Sequence, residues 1–314
     1  MAYSEATPIT AAGQARKPVL RRAARTQFFA LVLMLPAFIV IIAFLAYPLL
    51  KVVDLSFRVG STMNFLAISE QPYGLDNYVR ALTSRDFWSS VKVSGLYLAG
   101  SLTVSFAIGL WSALLLNNRM PARRWVRTII LLPWAVPGVV AAIIFTWMFD
   151  GSYGFINAVL RAAHISEADT AWLMDGSTAL WGVIMPTAWK AYPLITLTIL
   201  AALQTIPEDL YEAASIDGAN RFQLFRYITW PGIISATLVS LLISALWISM
   251  DVDIIFGSTG GGPADATATL PLFIYDEAFQ YFRMGVASAS GVMMMLAVAA
   301  ISGLTLTYVD RQKF

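Results

Sequence analysis

The stretch PEDLYEAASIDGANRFQLFRYITWP, residues 207–231, is a polar interruption between two long apolar segments. Pro207 suits the first position of a helix, where a missing amide hydrogen is no loss, and the two acidic residues that follow it suit the positive end of the helix dipole. Asp217 and Gly218 form a stop signal, because glycine readily takes the left-handed conformation that ends helices. The stretch therefore predicts a short helix that begins at Pro207 and ends at Gly218.

A second helical run is predicted over residues 219–228. Phe222, Phe225 and Ile228 recur at spacings of three, which predicts that they share one helix face. Pro231 is expected to close the run, because proline cannot donate a backbone hydrogen bond inside a helix. The pattern indicates a helix-turn-helix outside the membrane, although an ordinary charged loop between two membrane spans fits the same composition.

The composition indicates a membrane protein. The chain has 314 residues, of which 58% are hydrophobic and 13% charged, with a mean hydropathy of +0.67. This is too much apolar surface and too little charge for a typical soluble domain, so we expect an all-α polytopic membrane protein. The net charge of +2 is too small to indicate a nucleic-acid partner, and the absence of cysteine excludes disulfides and thiolate chemistry.

Six segments have the roughly 20 apolar residues that a membrane-spanning helix requires. The first follows a basic tail, residues 1–27, which we expect to be disordered, and it is too long for the core of a cleaved signal peptide. Pro133 and Pro137 are expected to kink the third span, and Pro186 and Pro193 the fourth. The six spans, which form a permease domain over 28–309 before a short tail at 310–314, are expected at 28–50, 91–116, 126–149, 180–203, 232–256 and 286–309.

The basic residues predict the orientation. Thirteen Lys and Arg residues lie in the N-terminal tail, the C-terminal tail and the loops after the second and fourth spans, against seven on the opposite side. The positive-inside rule places the side with thirteen, and therefore residues 207–231, in the cytoplasm. Six spans then place both termini there as well.

The sequence offers few groups for catalysis. His164 is the only histidine and lies in a loop expected outside, so neither a catalytic triad nor a multi-histidine metal site can be assembled in the bilayer or the cytoplasm. No lysine follows a glycine as a phosphate-binding P-loop requires. We therefore expect no enzyme activity and no cofactor or metal bound by this chain, and we interpret the glycines at 260–262 as a turn.

The order of residues within 207–231 resembles the EAA loop of binding-protein-dependent ABC importer permeases, particularly the carbohydrate-uptake class related to the maltose permeases. Trp230 departs from the leucine that usually precedes the proline, but it remains apolar. The residues that carry the resemblance are Glu212-Ala213-Ala214, Asp217-Gly218-Ala219, Phe225, Ile228 and Pro231.

Three further stretches are similar to the same family, so that the resemblance runs from about the first span to the last. They are 74–78 with Phe87-Trp88, then Trp189-Lys190 with Pro193 and 201–204, and finally Asp253 with the TGGGP run at 259–263 and Tyr275.

The resemblance implies a type I importer permease of the MetI-like fold, a subunit of an ATP-driven importer for a sugar or sugar derivative in a bacterial inner membrane. The implied partners are a second, related permease, two cytoplasmic ATPase subunits that bind ATP and Mg²⁺, and an external solute-binding protein. The residues implied to couple the permease to an ATPase subunit are Glu212, Ala213, Ala214, Asp217, Gly218, Ala219, Phe225 and Pro231.

Charged residues within the expected spans are candidates for a substrate pathway. Lys190 lies near the middle of the fourth span, and Asp251 and Asp253 lie in the outer half of the fifth. Each costs roughly 2.5–3.5 kcal/mol at the bilayer centre, so each must face protein or water. With Trp189 and Trp247 they would bind a sugar ring; a structural Lys–Asp pair, or a contact with a partner subunit, fits equally.

Two other classes of protein remain as alternatives. A secondary transporter of small polar solutes would need a self-sufficient translocation site, often with inverted repeats, and neither is visible in the sequence. An intramembrane enzyme or assembly factor would need catalytic groups that the sequence does not offer.

Overall fold

The structure, a computed structural model, describes residues 29, 31–59, 71–118, 123–165 and 169–311. The N-terminal tail expected at 1–27 and the last three residues of the tail at 310–314 lie outside these ranges. Over the described ranges the chain is helical, with a single isolated β-bridge between Arg58 and Tyr73.

Five described helices are long and apolar enough to cross a membrane, and a bent pair of shorter helices, 124–135 and 138–148, makes a sixth if it is counted as one span. The helices are α1 Leu31–Ser56, α2 Asp76–Thr83, α3 Arg85–Asn117, α4 Arg123–Ala135, α5 Gly138–Met148, α6 Phe155–Ala162, α7 Ala179–Leu203, α8 Glu208–Ile216, α9 Arg221–Met250, α10 Asp253–Ser258, α11 Leu270–Tyr275 and α12 Met284–Arg311.

The chain divides into two compact units, residues 1–52 and 53–314. The first unit contains most of α1, and its apolar side chains are largely exposed, as expected of a helix whose surroundings are lipid or another subunit. The second unit contains the remaining helices and the buried core.

Helices α3 and α7 pack closely along their length because small residues lie at the contact between them. A Cβ atom added at Gly109 would lie 2.8 Å from Ile195 Cγ2, and the hydroxyls of Tyr97 and Thr187 lie 2.6 Å apart. Lipid tails are as apolar as leucine, so helices in a membrane associate through close packing and hydrogen bonds of this kind rather than through the hydrophobic effect. This pair forms the frame of the second unit.

The predicted kink in the third span is confirmed, and the bend is sharp enough to divide the segment into two helices. Helices α4 and α5 are bent by 98° at residues 136–137, so the segment expected as the third span, 126–149, consists of two helices. Pro137 cannot continue the hydrogen-bond ladder, and it disfavours the helical conformation of the preceding Val136. By contrast, α7 runs uninterrupted through Pro186 and Pro193.

The fifth span differs from the prediction at both ends. Helix α9 begins at Arg221, before Pro231, and ends at Met250, so Asp251 and Asp253 lie beyond the end of this helix and not within it. Asp251 has an extended backbone, and its Oδ1 accepts a hydrogen bond from the Asp253 N–H at 3.0 Å. An aspartate that bonds its own backbone two residues on favours a turn over a helix, and this ends the span.

Buried polar side chains fix the segments that connect the spans. Asn77 of α2 donates to the carbonyl oxygens of Ser56 and Arg58 at 3.0 and 2.8 Å. The Glu277 carboxylate is buried after α11, and it accepts from Arg283 Nη1 at 3.2 Å. Burial raises the pKa of Glu277 above its ordinary value, and the nearby guanidinium opposes this shift.

The close packing of α3 on α7 predicts that Gly109→Ala destabilises the protein by roughly 1–3 kcal/mol, because the new methyl group overpacks against Ile195. The measurement is the thermal unfolding midpoint of the purified protein in detergent. The matched control is Gly95→Ala on the same helix, since a Cβ at Gly95 meets no atom within 4 Å. Equal midpoints for the two variants would contradict this account of the frame.

Candidate functional site

Residues 207–216 contain the first helix predicted for this loop, which begins one residue later than predicted. Pro207 is the N-cap, with φ −59° and ψ 134°, and α8 begins at Glu208. Glu208 and Asp209 occupy the first turn, as predicted from the helix dipole. Asp217 is the C-cap and Gly218 has φ +81°, which confirms the stop signal.

A capping box that the sequence analysis missed begins the next helix. Asn220 Oδ1 accepts from the Gln223 N–H at 3.0 Å, and Gln223 Oε1 accepts from the Asn220 N–H at 2.7 Å. The signal was present in the sequence as an N-cap residue followed three residues later by glutamine. This reciprocal pair fixes the start of α9 at Arg221 directly after the glycine turn.

Pro231 does not close the second helical run, so that prediction was wrong. Residues Phe225–Thr229 form one turn of π-helix, called the π-turn below, in which the Trp230 N–H donates to the Phe225 carbonyl five residues earlier. Pro231 follows in the first turn of the next regular segment, where its missing N–H is tolerated. The loop helix and the fifth span are therefore one continuous helix, α9.

The three apolar residues expected on one face are separated. Phe222 is 74% exposed, whereas Phe225 and Ile228 are half-buried. Phe222 lies in the regular turn Arg221–Leu224, before the π-turn, and at 3.6 residues per turn a spacing of three shifts a side chain by about 60° around the helix axis. The Phe225 ring lies 6.3 Å from that of Trp230, which in turn lies 6.3 Å from Phe106 of α3.

The loop between α8 and α9 presents an exposed, partly apolar surface. Ile216, Phe222 and Tyr227 are 87%, 74% and 72% exposed, and Glu212 and Ala213 are exposed beside them. Large apolar side chains grouped in this way mark an interaction surface. A groove of about 320 Å³ crosses this surface, lined by Ala214, Asp217, Gly218, Ala219, Gln223, Leu224, Tyr227 and Ile228.

A second hollow, of about 540 Å³, is lined by other residues of α8 and by the nearby ends of α3 and α7. Glu208, Tyr211 and Glu212 of α8 reach it, with Asn117 and Gln204 opposite. Of the predicted coupling residues, Glu212 therefore lines this hollow, and Ala214, Asp217, Gly218 and Ala219 line the groove. Phe225 and Pro231 lie beyond both, in α9.

A cavity of about 390 Å³ lies among α4, α7 and the end of α9. Trp134 and Trp247 stack in its wall, with ring centroids 6.3 Å apart and planes at 11°, and each is about half exposed. Trp134 was missed by the sequence analysis; its position between Pro133 and Pro137, at the break of the third span, was the available signal. The cavity is lined by Trp134, Thr187, Lys190, Ala191, Trp247, Ile248, Met250 and Asp251.

The two charged residues of the cavity do not form an ion pair. Lys190 lies near the middle of α7 and is half-buried, and no described carboxylate oxygen lies within 4.0 Å of its ammonium. Asp251 is half-buried and accepts a hydrogen bond only from backbone among the described residues, at Asp253 N. The cavity wall thus offers an ammonium group and a carboxylate group beside two aromatic faces.

Two of the predicted pathway residues lie elsewhere. Trp189 packs against Phe145 of α5, with ring centroids 5.5 Å apart. Asp253 begins α10 and lies against Gly138, where an added Cβ would be 2.9 Å from Asp253 Cβ. Neither residue lines the cavity, so both contribute to the packing around the bend between α4 and α5.

The remaining candidates for chemistry are ordinary connecting residues. His164 is exposed after α6, and within the described residues no three His, Cys, Asp or Glu side chains are grouped as a metal site requires. The glycine run is a turn, as predicted: Gly260 and Gly261 have φ of +57° and +92°, and the Thr267 hydroxyl donates to the Gly262 carbonyl at 2.8 Å.

Comparison with known proteins identifies the arrangement. The family model described as "Binding-protein-dependent transport system inner membrane component" matches residues 105–313. The chain is 34% identical over 283 residues to the trehalose/maltose transport system permease protein MalF of Thermococcus litoralis, covering 90% of this chain and 92% of that one. It is 30% identical over 280 residues to the diacetylchitobiose uptake system permease protein DasB of Streptomyces coelicolor, covering 88% and 84%.

Solved structures show the same fold. A chain of a bacterial ABC transporter involved in the import of the acidic polysaccharide alginate superposes with a TM-score of 0.77 at 24% identity, covering 93% of this chain and 98% of that chain. A chain of the MetNI methionine ABC transporter gives 0.51 at 21% identity, covering 72% and 96%. The chain therefore belongs to the family of binding-protein-dependent transport system inner membrane components.

Proposed function

We propose that this chain is the membrane-spanning permease subunit of an ATP-driven, binding-protein-dependent importer for a sugar or sugar derivative. The observation that carries the proposal is α9, one helix that leads from the exposed loop after α8 to the cavity wall at Trp247. A loop that docks on an ATPase can move the cavity through such a helix. The sugar class rests on the names of the relatives, which are permeases for trehalose and maltose and for diacetylchitobiose.

The proposed assembly contains a second, related permease, two cytoplasmic ATPase subunits and an external solute-binding protein, in a bacterial inner membrane. ATP and Mg²⁺ bind to the ATPase subunits, and this chain is not itself catalytic. It crosses the membrane six times, with the bent pair α4 and α5 as its third span and both termini in the cytoplasm. The basic residues of its tails and cytoplasmic loops support this orientation.

Helix α8 is the proposed contact with the ATPase. Glu212 makes a polar or ionic contact there, and Ala213 and Ala214 allow the close approach of another backbone. Gly218 provides the positive φ that the turn into α9 requires. Closure of the ATPase pair on ATP then moves α8 and α9 together, and the cavity alternates between the two sides of the membrane.

Gly218→Val and Glu212→Ala are expected to uncouple ATP hydrolysis from uptake while the chain still inserts in the membrane. A branched side chain at Gly218 costs on the order of 1–2 kcal/mol in the left-handed conformation and distorts the turn. We expect at least roughly tenfold less solute taken up per ATP hydrolysed, because the distorted turn no longer passes the movement of α8 to α9. The measurement is uptake of the transported sugar and ATP hydrolysis in proteoliposomes that contain the complete complex.

Gly260→Val is the matched control, since Gly260 also has a positive φ but lies in the turn after α10. It introduces similar backbone strain away from α8, so its uptake per ATP should stay near that of the parent protein. Normal coupling in both loop variants would refute the assignment of the loop.

The cavity wall is the proposed contact with the solute. The faces of Trp134 and Trp247 suit the apolar face of a sugar ring, and the groups of Lys190 and Asp251 suit hydroxyls, which both donate and accept. Lys190 and Asp251 therefore keep their roles as proposed pathway residues, with Trp134 added to Trp247, whereas Trp189 and Asp253 have structural roles.

Asp251→Asn is expected to reduce uptake roughly tenfold, because hydrogen bonds to a charged acceptor contribute about 1.5–3 kcal/mol. The measurement is uptake by the complex with subunit assembly checked by co-purification. Asp253→Asn is the control, because this carboxylate lies outside the cavity, and its uptake should change much less. Unchanged uptake and unchanged selectivity in Asp251→Asn would exclude the residue from the solute pathway.

Co-purification of an ATPase subunit with this chain distinguishes the proposal from its alternatives. An importer permease recovers the ATPase and transports nothing alone. Uptake by the purified chain alone in liposomes would instead indicate a secondary transporter and overturn the proposal.

A further inference from the structure

We infer that the hydrogen bond between Tyr211 and Thr229 is the joint through which movement of α8 is passed to α9. The inference rests on the proposed function and adds two positioning residues to it. Neither residue contacts the cavity, and each acts by holding one helix against the other.

The contact joins residues that are 18 positions apart, on opposite sides of the glycine turn. Tyr211 Oη lies 3.0 Å from Thr229 Oγ1, and Thr229 is only 7% exposed. Thr229 Oγ1 also lies 3.4 Å from the Leu224 carbonyl, to which it donates. The tyrosine hydroxyl therefore donates to the threonine oxygen, and the threonine hydroxyl takes part in two hydrogen bonds.

The π-turn explains why Thr229 can take this position. A threonine hydroxyl in a regular helix bonds the carbonyl three or four residues before it, whereas Thr229 bonds the carbonyl five residues before it. In the same π-turn Arg226 and Tyr227 are exposed, while Thr229 is buried towards α8. The wide turn, a feature often found at functional sites, thus turns one hydroxyl inward.

The neighbouring contacts of α9 are apolar, and those named here do not involve α8 itself. A Cβ at Gly232 would lie 2.5 Å from Cδ1 of Ile206, which precedes α8, and Trp230 packs against Phe225 of its own helix and Phe106 of α3. Apolar contacts have no strict direction, so packed helices can slide over each other by small steps. Among the described residues, Tyr211–Thr229 is the only side-chain hydrogen bond between α8 and α9, and it opposes such sliding.

The joint has a direct path to the cavity. Thr229 belongs to the same continuous helix as Trp247, which lines the cavity 18 residues further along. A displacement of α8 that reaches Thr229 is thereby carried along α9 to the cavity wall. Without the joint, we expect α8 to move on ATP binding while α9 follows incompletely.

The test uses the chain's lack of cysteine to place a single reporter. Met250, which is 63% exposed and lines the cavity, is changed to cysteine in every variant, and its labelling by a water-soluble methanethiosulfonate is timed in the complete complex. The complex is compared without nucleotide and after trapping with ATP and vanadate. The readout is the change in labelling rate between the two states, which needs no knowledge of the solute.

Tyr211→Phe and Thr229→Val each remove one hydroxyl and keep nearly the same shape. We expect the change in labelling rate to fall roughly three- to tenfold in each, the effect of losing one hydrogen bond, and to fall no further in the double variant. Thr229→Ser retains the hydroxyl and should respond like the parent. Tyr153→Phe removes the hydroxyl of an exposed tyrosine between α5 and α6, far along the chain from this contact, and should also respond like the parent.

An unaltered response in both single variants, or losses that add in the double variant, would overturn the inference. Loss of the ATPase from either variant during purification would also overturn it, since the bond would then serve assembly. The proposed function fails separately, if the parent complex shows no response to ATP at all. A response that is lost in Glu212→Ala but kept in Tyr211→Phe leaves the proposed function standing and removes only the joint.

Discussion

The structure depends on the continuity of α9 through Pro231. A proline in a helix interior removes a backbone hydrogen bond and clashes with the preceding turn, at a cost of roughly 3 kcal/mol. Here the π-turn Phe225–Thr229 comes immediately before it, so the proline falls in a first turn where its missing N–H is tolerated. An exposed loop and a membrane cavity are thus two ends of one helix, and a force applied at one end reaches the other.

The remainder of the second unit is closely packed, so that α9 can move relative to a rigid neighbour. Small residues bring α3 and α7 together, and Gly109 fits against Ile195 with no room for a side chain. Contacts of this kind are stiff, because a packed interface has few alternative arrangements. The bend between α4 and α5 brings Trp134 beside Trp247, so the broken span contributes to the cavity as well as to the frame.

Much of this arrangement could be predicted from the sequence, because its causes are local. The acidic first turn of α8, the glycine turn at Gly218 and the apolar length of most spans follow from neighbouring residues. The bend of α4 against α5 and the end of α9 at Asp251 depend on which groups accept or donate the backbone hydrogen bonds after a break in the helix. The spacing of apolar residues in the sequence does not show this. The π-turn explains the wrong prediction at Pro231, because it carries the helix past that proline. The lining of the cavity needed tertiary structure, because it includes Trp134 and does not include Trp189 or Asp253.

The central claim is that α8 and α9 move as one body when the ATPase subunits bind ATP. Spin labels on cysteines at Asp209 of α8 and Val239 of α9 measure it most directly, by the distance between them in the complete complex with and without trapped ATP. The account predicts that this distance stays constant while the distance from position 239 to a label on the second permease changes. A change within the α8–α9 pair as large as the change between the two permeases would contradict it.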